Sequence, residues 1–331
     1  MSRSVRGEFE IITQIKERCQ ASPVVQLGIG DDCAILQLPP GELLLSTTDM
    51  LIESVHFRRD WTGLLSLGRK SAAVNLSDLA AMGATPRALF LALAIPADLI
   101  AEDIDLFFEG FLEVCHDSGA VLAGGDTSSS QAGLSICVTA LGSAPATEVV
   151  RRSGAKPGDG LYVTGALGDS SLALQWLGEG RALPPELLNR HLEPTARVKA
   201  GRALARSGIA TAMIDVSDGL LADLGHILKA SLVGACIQVD RLPLSSALRA
   251  TGDEDSRLFD RALTGGEDYE LLFTATPESE GKIARIASEN SLPITRIGTI
   301  SMAAEEFVLE YNGNMYPLPL HRGYKHFSDG T

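Results

Sequence analysis

Aspartates carry the chemical signal in this chain. Asp31 and Asp32 in LGIGDDCAIL, Asp49 in LLLSTTDMLI, Asp78 in NLSDLAAMGA, Asp126 in LAGGDTSSS, and Asp215 and Asp218 in MIDVSDGLL all adjoin apolar runs, flanked by Gly, Ser and Thr. Most aspartates of a soluble protein sit on the solvated surface. At the end of a buried strand a carboxylate is unfavourable unless it is paired or bound to a metal. None of these segments has a neighbouring Lys or Arg in sequence. Three readings compete. Each Asp caps a helix or closes an Asx turn, which suits Asp78 and Asp218, since helical patterns follow them. Or the set binds calcium, but no run matches D-x-[DN]-x-[DN]-G with its later Glu. Or aspartates from separate loops converge on several magnesium ions, which favour carboxylates, phosphate oxygens and retained waters. The hydroxyls of Thr47, Thr48 and Ser217 stand beside these carboxylates and would complete such shells. Repetition of one placement in several loops favours this third reading.

Glycine supplies the other half of a phosphate site. Gly28 and Gly30, Gly124 and Gly125, and Gly265 and Gly266 each allow close backbone approach. Their coupling to acid, in GIGDD, GGDT and GGED, is the informative part. Familiar nucleotide motifs are missing. GLLSLGRKS has Arg69 where a P-loop needs Lys directly after the second Gly, and it reads as an amphipathic helix. GIGDDC lacks the third Gly of a dinucleotide fingerprint. No protein-kinase H-R-D or D-F-G and no G-x-S-x-G elbow occurs.

Charge narrows the partners. The chain has 28 Lys and Arg against 42 Asp and Glu, a formal net charge of −14. Such a protein repels nucleic-acid backbones, and it must handle phosphates through cations. With 45% hydrophobic and 21% charged residues it has the balance of a soluble globular protein. Its apolar stretch at residues 88–96 is far short of the about 20 residues that cross a bilayer. The N-terminal MSRSVRGEFEIITQIKER has no apolar h-region of a secretory signal. Cys19, Cys33, Cys115, Cys137 and Cys236 are odd in number and widely spaced, without a C-x-x-C pair. They read as small buried apolar residues in a reducing cytoplasm.

The elements that must position these groups alternate. At roughly 100–200 residues per domain, 331 residues make about two domains. Residues 6–20 read as a helix with Ile11, Ile12 and Ile15 on one face. Residues 42–52 read as a buried strand running into a polar loop. A helix over 64–83 stops at Gly83. A strand at 88–96 is closed by proline. A helix over 102–118 follows Glu102 and Asp103, as the dipole prefers, and a strand at 134–144 comes next. Pro145, Gly154, Pro157 and Gly158 mark a boundary near 145–158. Beyond it lie a strand at 160–165, a helix over 186–206, a strand at 211–215, and later strands in CIQVD, YELLFTA and ITRIGTI. Asn312 and Gly313 signal a two-residue hairpin. The pattern is two α/β domains of similar size, without the clean alternation of a doubly wound sheet.

GIGDDCAIL, STTDMLIESVHF, NLSDLAAMGA, GGDT, RSGAKPGD, DVSDGLLADL and GGEDYELLF, in this order, resemble the thiamine-monophosphate kinase family. That family lies in the superfamily of aminoimidazole ribonucleotide synthetase and selenophosphate synthetase. The resemblance runs from residue 28 to the terminal HRGYKHF. STTDMLIESVHF and GYKHF look particular to the kinases. The resemblance implies an α/β fold in two parts. Residues 1–148 would form an N-terminal synthetase-superfamily domain carrying metal and ATP, its sheet forming a barrel across a homodimer. Residues 149–331 would form a C-terminal α/β domain completing the ATP and substrate cleft. It implies direct in-line transfer of the ATP γ-phosphoryl group to thiamine monophosphate, giving thiamine diphosphate and ADP. Several Mg2+ ions would assist, with no phosphoenzyme and no general base.

By the family pattern Asp31, Thr47, Thr48, Asp49, Asp78, Asp126, Asp215 and Asp218 look like the metal shell. Gly125, Asp126, Arg152 and Ser217 look like ATP contacts, and His56, Glu267 and Tyr324 like substrate contacts. Alternatives stand beside three of these. His56 also reads as a half-buried structural histidine, Arg152 as a surface ion-pair residue like Arg151, and Tyr324 as a tail anchor with Phe327 as its rival. Cys33 replaces a small alanine-like residue, and Phe108 stands where the family often has Tyr near the nucleotide. Two other functions fit the superfamily: a sister ATP-dependent ligase, and a nucleotide-binding scaffold without turnover.

Overall fold

The computed structural model describes residues 8–324. It divides into two compact units, one of residues up to Leu79 together with Ala84–Thr147, the other of Ala80–Gly83 and the chain from Glu148 onward. The side chain of Ile11, and Phe327 with the rest of the terminal motif after Tyr324, lie outside the described residues.

The first unit begins with α1 (Glu8–Arg18) and a small antiparallel pair, β1 (Val25–Leu27) with β2 (Ile35–Leu36). Then follow β3 (Glu42–Ile52), α2 (Leu64–Ala81), β4 (Thr85–Pro96), α3 (Ala101–Ser118), β5 (Val121–Ser130) and β6 (Ser135–Pro145). The four long strands form one sheet in the order β3-β6-β4-β5. β4 and β5 are parallel, joined through α3, and the other pairs are antiparallel. The N–H of Ile100 donates to the Asp103 carboxylate at the head of α3 (3.1 Å), and Gly119 at φ 77 closes its end. α2 and α3 cross backbone to backbone. A Cβ at Gly68 would collide with the carbonyl oxygen of Phe107, and one at Gly110 with that of Leu65. Phe107 and Phe111 are buried beside this crossing, and Phe108 meets Phe107 edge to face at 5.7 Å.

One expectation needs correction here. Residues 42–52 do form a strand, but not a buried one: β3 is an edge of its sheet, with Leu43, Leu44 and Met50 about half exposed (Leu44 55%). An apolar run announces a strand; it does not say whether both faces are covered. The cysteines also differ from expectation. None is in a disulfide, but only Cys115 is buried, and Cys33 is exposed in the loop between β1 and β2.

The second unit contains β7 (Gly160–Thr164), α4 (Asp169–Gly178), α5 (Pro185–Leu192), α6 (Val198–Arg206), β8 (Ala210–Asp215), α7 (Leu220–Ser231) and β9 (Gly234–Gln238). It continues with α8 (Ser246–Arg249), α9 (Asp255–Thr264), β10 (Leu271–Ala275), α10 (Glu280–Glu289), β11 (Ile294–Ser301), β12 (Phe307–Tyr311) and β13 (Asn314–Met315). Its seven strands run β13-β12-β9-β11-β7-β10-β8. Only β9 with β12 is parallel. Leu161, Val163, Ile214, Leu224 and Leu272 belong to the core between this sheet and its helices. The single helix expected over 186–206 is two, because Pro194 in the intervening segment cannot continue α5. Asn312 (φ 49) and Gly313 (φ 76) join β12 to β13 in the two-residue hairpin their types foretell. No helix among the described residues is long and apolar enough to cross a membrane.

Candidate active site

In the first unit the acidic residues are carried by regular structure. Thr47 and Asp49 alternate onto one face of β3, and Thr48 onto the other. The Thr47 hydroxyl donates to the Asp78 carboxylate of α2. The Asp49 N–H donates to Asn75 Oδ1 (3.2 Å), and the buried Asn75 amide donates to the Ser71 carbonyl one helical turn back (3.1 Å). One side chain thus keys strand to helix and sets Asp49 beside Asp78. Burial, then the repulsion of Asp78, pushes the Asp49 carboxyl up to about 6. Two carboxylates around a hydroxyl, disfavoured as a pair of anions, have the donor chemistry of a divalent-cation site. Among the described residues no three His, Cys, Asp or Glu side chains gather closely enough to hold a metal ion by themselves.

Asp78 lies inside α2, so the helix-cap reading fails for it. Thr48 faces away from the pair and shares a hydrogen bond with Thr139 (2.8 Å). Asp126 lies within β5 rather than at a strand end, exposed and in register with Ala92. Gly125 has a strand-packing role of its own: at φ 156, a Cβ would collide with the Leu91 carbonyl of β4. Asp31 sits in the exposed loop between β1 and β2 and accepts the Asp32 N–H (2.9 Å). Lys16 of α1 reaches this loop, close enough to Gly30 that a Cβ there would meet its ammonium. His56 follows β3 half-buried, and its Nδ1 accepts the Ile52 N–H (3.1 Å), so the neutral ring carries its proton on Nε2. Its loop is pinned by Glu53, which accepts from Arg59 and from the Leu134 N–H, both at 2.7 Å.

In the second unit the acids sit on turns. Asp215 ends β8, buried. The turn 217–219 then leads into α7. Glu267 donates its N–H to the Ser217 carbonyl (2.7 Å), and Tyr324 donates its N–H to the Asp218 carbonyl (2.9 Å). Main-chain bonds thus bring together Ser217, Asp218, Glu267 and Tyr324, which are far apart in sequence. The cap reading fails for Asp218 too. The acceptor at the head of α7 is Asp223, whose Oδ2 receives the N–H groups of Ser217 (3.0 Å), Asp218 (3.1 Å) and Gly219 (3.1 Å). Burial, then the nearby Asp218, pushes Asp223 up to about 7 despite those bonds. Arg152 is exposed, and its carbonyl accepts from Ser231 (3.3 Å).

The GGED segment rests on a buried ionic network that the sequence reading missed. Glu270 is fully buried and accepts from Thr164 (2.6 Å), from Arg197 Nε (2.7 Å) and from a second Arg197 nitrogen, with Arg190 at 3.5 Å. Asp268 accepts the Gly168 N–H (2.9 Å), and burial holds its carboxyl well above the usual range. Glu267 meets His191 at 3.2 Å, and His191 also contacts the Ser170 hydroxyl (2.9 Å). Glu267 (φ 64) and Tyr269 (φ 50) both adopt the left-handed conformation that non-glycine residues seldom hold. Such strain persists where the surroundings over-determine it, as this network does. Acids inside GGEDYELLF were a signal for burial; their partners, on α5, on β7 and at Arg197 just before α6, were not legible.

Residues 30–144 match the AIR synthase related protein, N-terminal domain, and residues 156–309 match the C-terminal domain of the same family. The chain belongs to the AIR synthase related protein family. It is 40% identical over 328 residues to the thiamine-monophosphate kinase of Salmonella typhimurium, covering 97% of this chain and 98% of that protein. The crystal structure of thiamine-monophosphate kinase from Stenotrophomonas maltophilia K279a is similar with a TM-score of 0.84 and 40% identity, over 94% of this chain and 98% of that one. A structure of AaThiL complexed with AMPPCP and TMP is 33% identical, with a TM-score of 0.74 over 97% of each chain. These relatives bear out the resemblance to the thiamine-monophosphate kinase family drawn from the motifs.

Proposed function

We propose that this chain is an ATP-dependent kinase that phosphorylates thiamine monophosphate, giving thiamine diphosphate and ADP by direct in-line transfer. The observation that carries the reading is full-length likeness to thiamine-monophosphate kinases, one of them complexed with AMPPCP and TMP. It is supported by Thr47, Asp49 and Asp78, which the fold brings together in the first unit. Asp31, Thr47, Asp49, Asp78 and Asp126 of the first unit, and Asp215 and Asp218 of the second, would hold Mg2+. Thr48, turned toward Thr139, supports the strand instead. Magnesium is commonly held by one or two carboxylates with phosphate oxygens and waters; when bound it neutralises the phosphate charge that a −14 chain otherwise repels.

The chain's own residues do the positioning. Gly125, Asp126, Arg152 and Ser217 face ATP, Arg152 offering a planar fork for phosphate oxygens. His56, Glu267 and Tyr324 hold thiamine monophosphate, Tyr324 with a half-exposed ring suited to a cationic heterocycle. The acceptor phosphate is already ionised, so no general base is required, and in-line transfer needs mainly orientation and charge stabilisation. Residues 1–148 would carry metal and ATP, and residues 149–331 would contribute ATP and substrate contacts of their own. We further infer a cytoplasmic homodimer whose N-terminal sheets pair into a barrel, supported by the apolar side chains exposed on edge strand β3. Incubation of the purified protein with ATP, thiamine monophosphate and Mg2+, followed by chromatography, should yield thiamine diphosphate and ADP. Absence of product with both substrates and the metal present would sink the reading.

A further inference from the structure

The turn 217–219 has no main-chain polar group to spare. Its three N–H groups go to Asp223 Oδ2 at 3.0–3.1 Å. Its carbonyls accept from Glu267 (Ser217 O, 2.7 Å), Tyr324 (Asp218 O, 2.9 Å) and Asp223 itself (Gly219 O, 2.9 Å). Gly219 holds φ 125, and a Cβ there would crowd the Thr264 carbonyl. Asp223 is 2% exposed. Exposed N–H groups at the head of a helix form a ready anion site. Here an internal carboxylate already fills that place.

We propose that Asp223 is a positioning residue: it ties down the turn at the head of α7 so that the turn presents the Asp218 carboxylate to a cation and presents no main-chain N–H to a phosphate. This rests on the reading of Asp218 as a cation ligand. The geometry gives it a reason. Three bonds to one oxygen fix three successive peptide planes, and the Glu267 and Tyr324 bonds fix two of them from the other side. Ser217 and Asp218 are the residues of the turn that stay partly exposed while its main-chain groups are bonded, and Asp218 is the one that carries a carboxylate.

The test uses the full-length protein with Asp223→Asn, Asp223→Ala and Asp218→Asn. Hydrogen exchange of amides 217–219, read by mass spectrometry without cation, should be slow in wild type and Asp223→Asn, whose amide oxygen still accepts. In Asp223→Ala it should accelerate about tenfold or more, the scale of losing a buried acceptor. Mn2+ affinity, read by electron paramagnetic resonance, should fall about tenfold in Asp223→Ala and stay within about threefold in Asp223→Asn, as one lost hydrogen bond dictates. Unchanged protection in Asp223→Ala overturns the proposal whatever the enzyme does. Loss of protection in Asp223→Asn overturns it too, and keeps the test decisive if the alanine variant does not fold. Faster exchange in Asp223→Ala with wild-type Mn2+ affinity also overturns it; if Asp218→Asn then binds Mn2+ normally, the fault lies with Asp218 as a ligand.

Discussion

The two units hold their acids by different means. In the first, Asp49 and Asp78 stand on a strand and a helix, and a side chain, Asn75, keys one element to the other. In the second, Asp218 stands on a turn whose main chain is tied on both sides, while the neighbouring GGED segment leans on an ionic network around Glu270. The first arrangement brings two like charges together and leaves them in tension. The second sets Arg197 on Glu270 and three N–H groups on Asp223, although burial and the nearby Asp218 still push Asp223 up to about 7, so its balance lies in the Glu270 network. A pair in tension is suited to receive a cation; a balanced network is suited to hold a loop in an unfavourable backbone conformation. The difference teaches that acidity alone does not mark a ligand: what counts is whether the fold has already neutralised it.

Three substitutions sharpen or break that contrast. Asp49→Asn should reduce thiamine diphosphate formation about 10²–10³-fold, as removal of a group stabilising developing charge does. Steady-state rates close to wild type would take the first unit's pair out of the chemistry. Arg197→Ala should destabilise the protein by about 3 kcal/mol or more in urea unfolding, since it strands a buried carboxylate. A loss below about 1 kcal/mol would mean that Glu270 is not held as an ion. Asn75→Ala should cost about 1–2 kcal/mol, the scale of a lost buried hydrogen-bonding side chain, and raise the Mg2+ concentration needed for turnover. An unaltered Mg2+ requirement would separate the strand-to-helix key from the cation site.

The smallest effect is a pH dependence. In cation-free protein, Asp49 has a folded pKa of about 6, above that of the unfolded chain. Its contribution to folding is complete at low pH and disappears as pH rises through that value. Asp49→Asn should therefore match wild type near pH 4 and exceed it by on the order of 1 kcal/mol at pH 8. A gain that grows toward acid would reverse the assignment of tension to this pair.

Much of the architecture was legible in periodicity and punctuation. The strand in ELLLSTTDMLI, the helix after Glu102 and Asp103, and the Asn312 and Gly313 turn depend on local chemistry, and they appear where local chemistry puts them. What depends on coverage or distant partners was not legible. The exposure of β3 follows from its place at the sheet edge, which no residue in the strand encodes. Glu270 finds Arg197 and Thr164 across long stretches of chain, so an acid in an apolar run could be seen but not its counter-charge. Asp223 is the intermediate case. It lies in the same short motif as Asp218, and an acid on the first turns of a helix is a readable sign of bonds to the preceding N–H groups.

The crossing of α2 and α3 has a consequence for where Asp78 can be. With glycines at both points of contact, the two helices touch through their peptide groups and no compressible side chain lies between them. They behave as one stiff plate. The helix that carries Asp78 is thereby held against α3 at backbone contact, and any side chain at Gly68 or Gly110 would have to push the two apart.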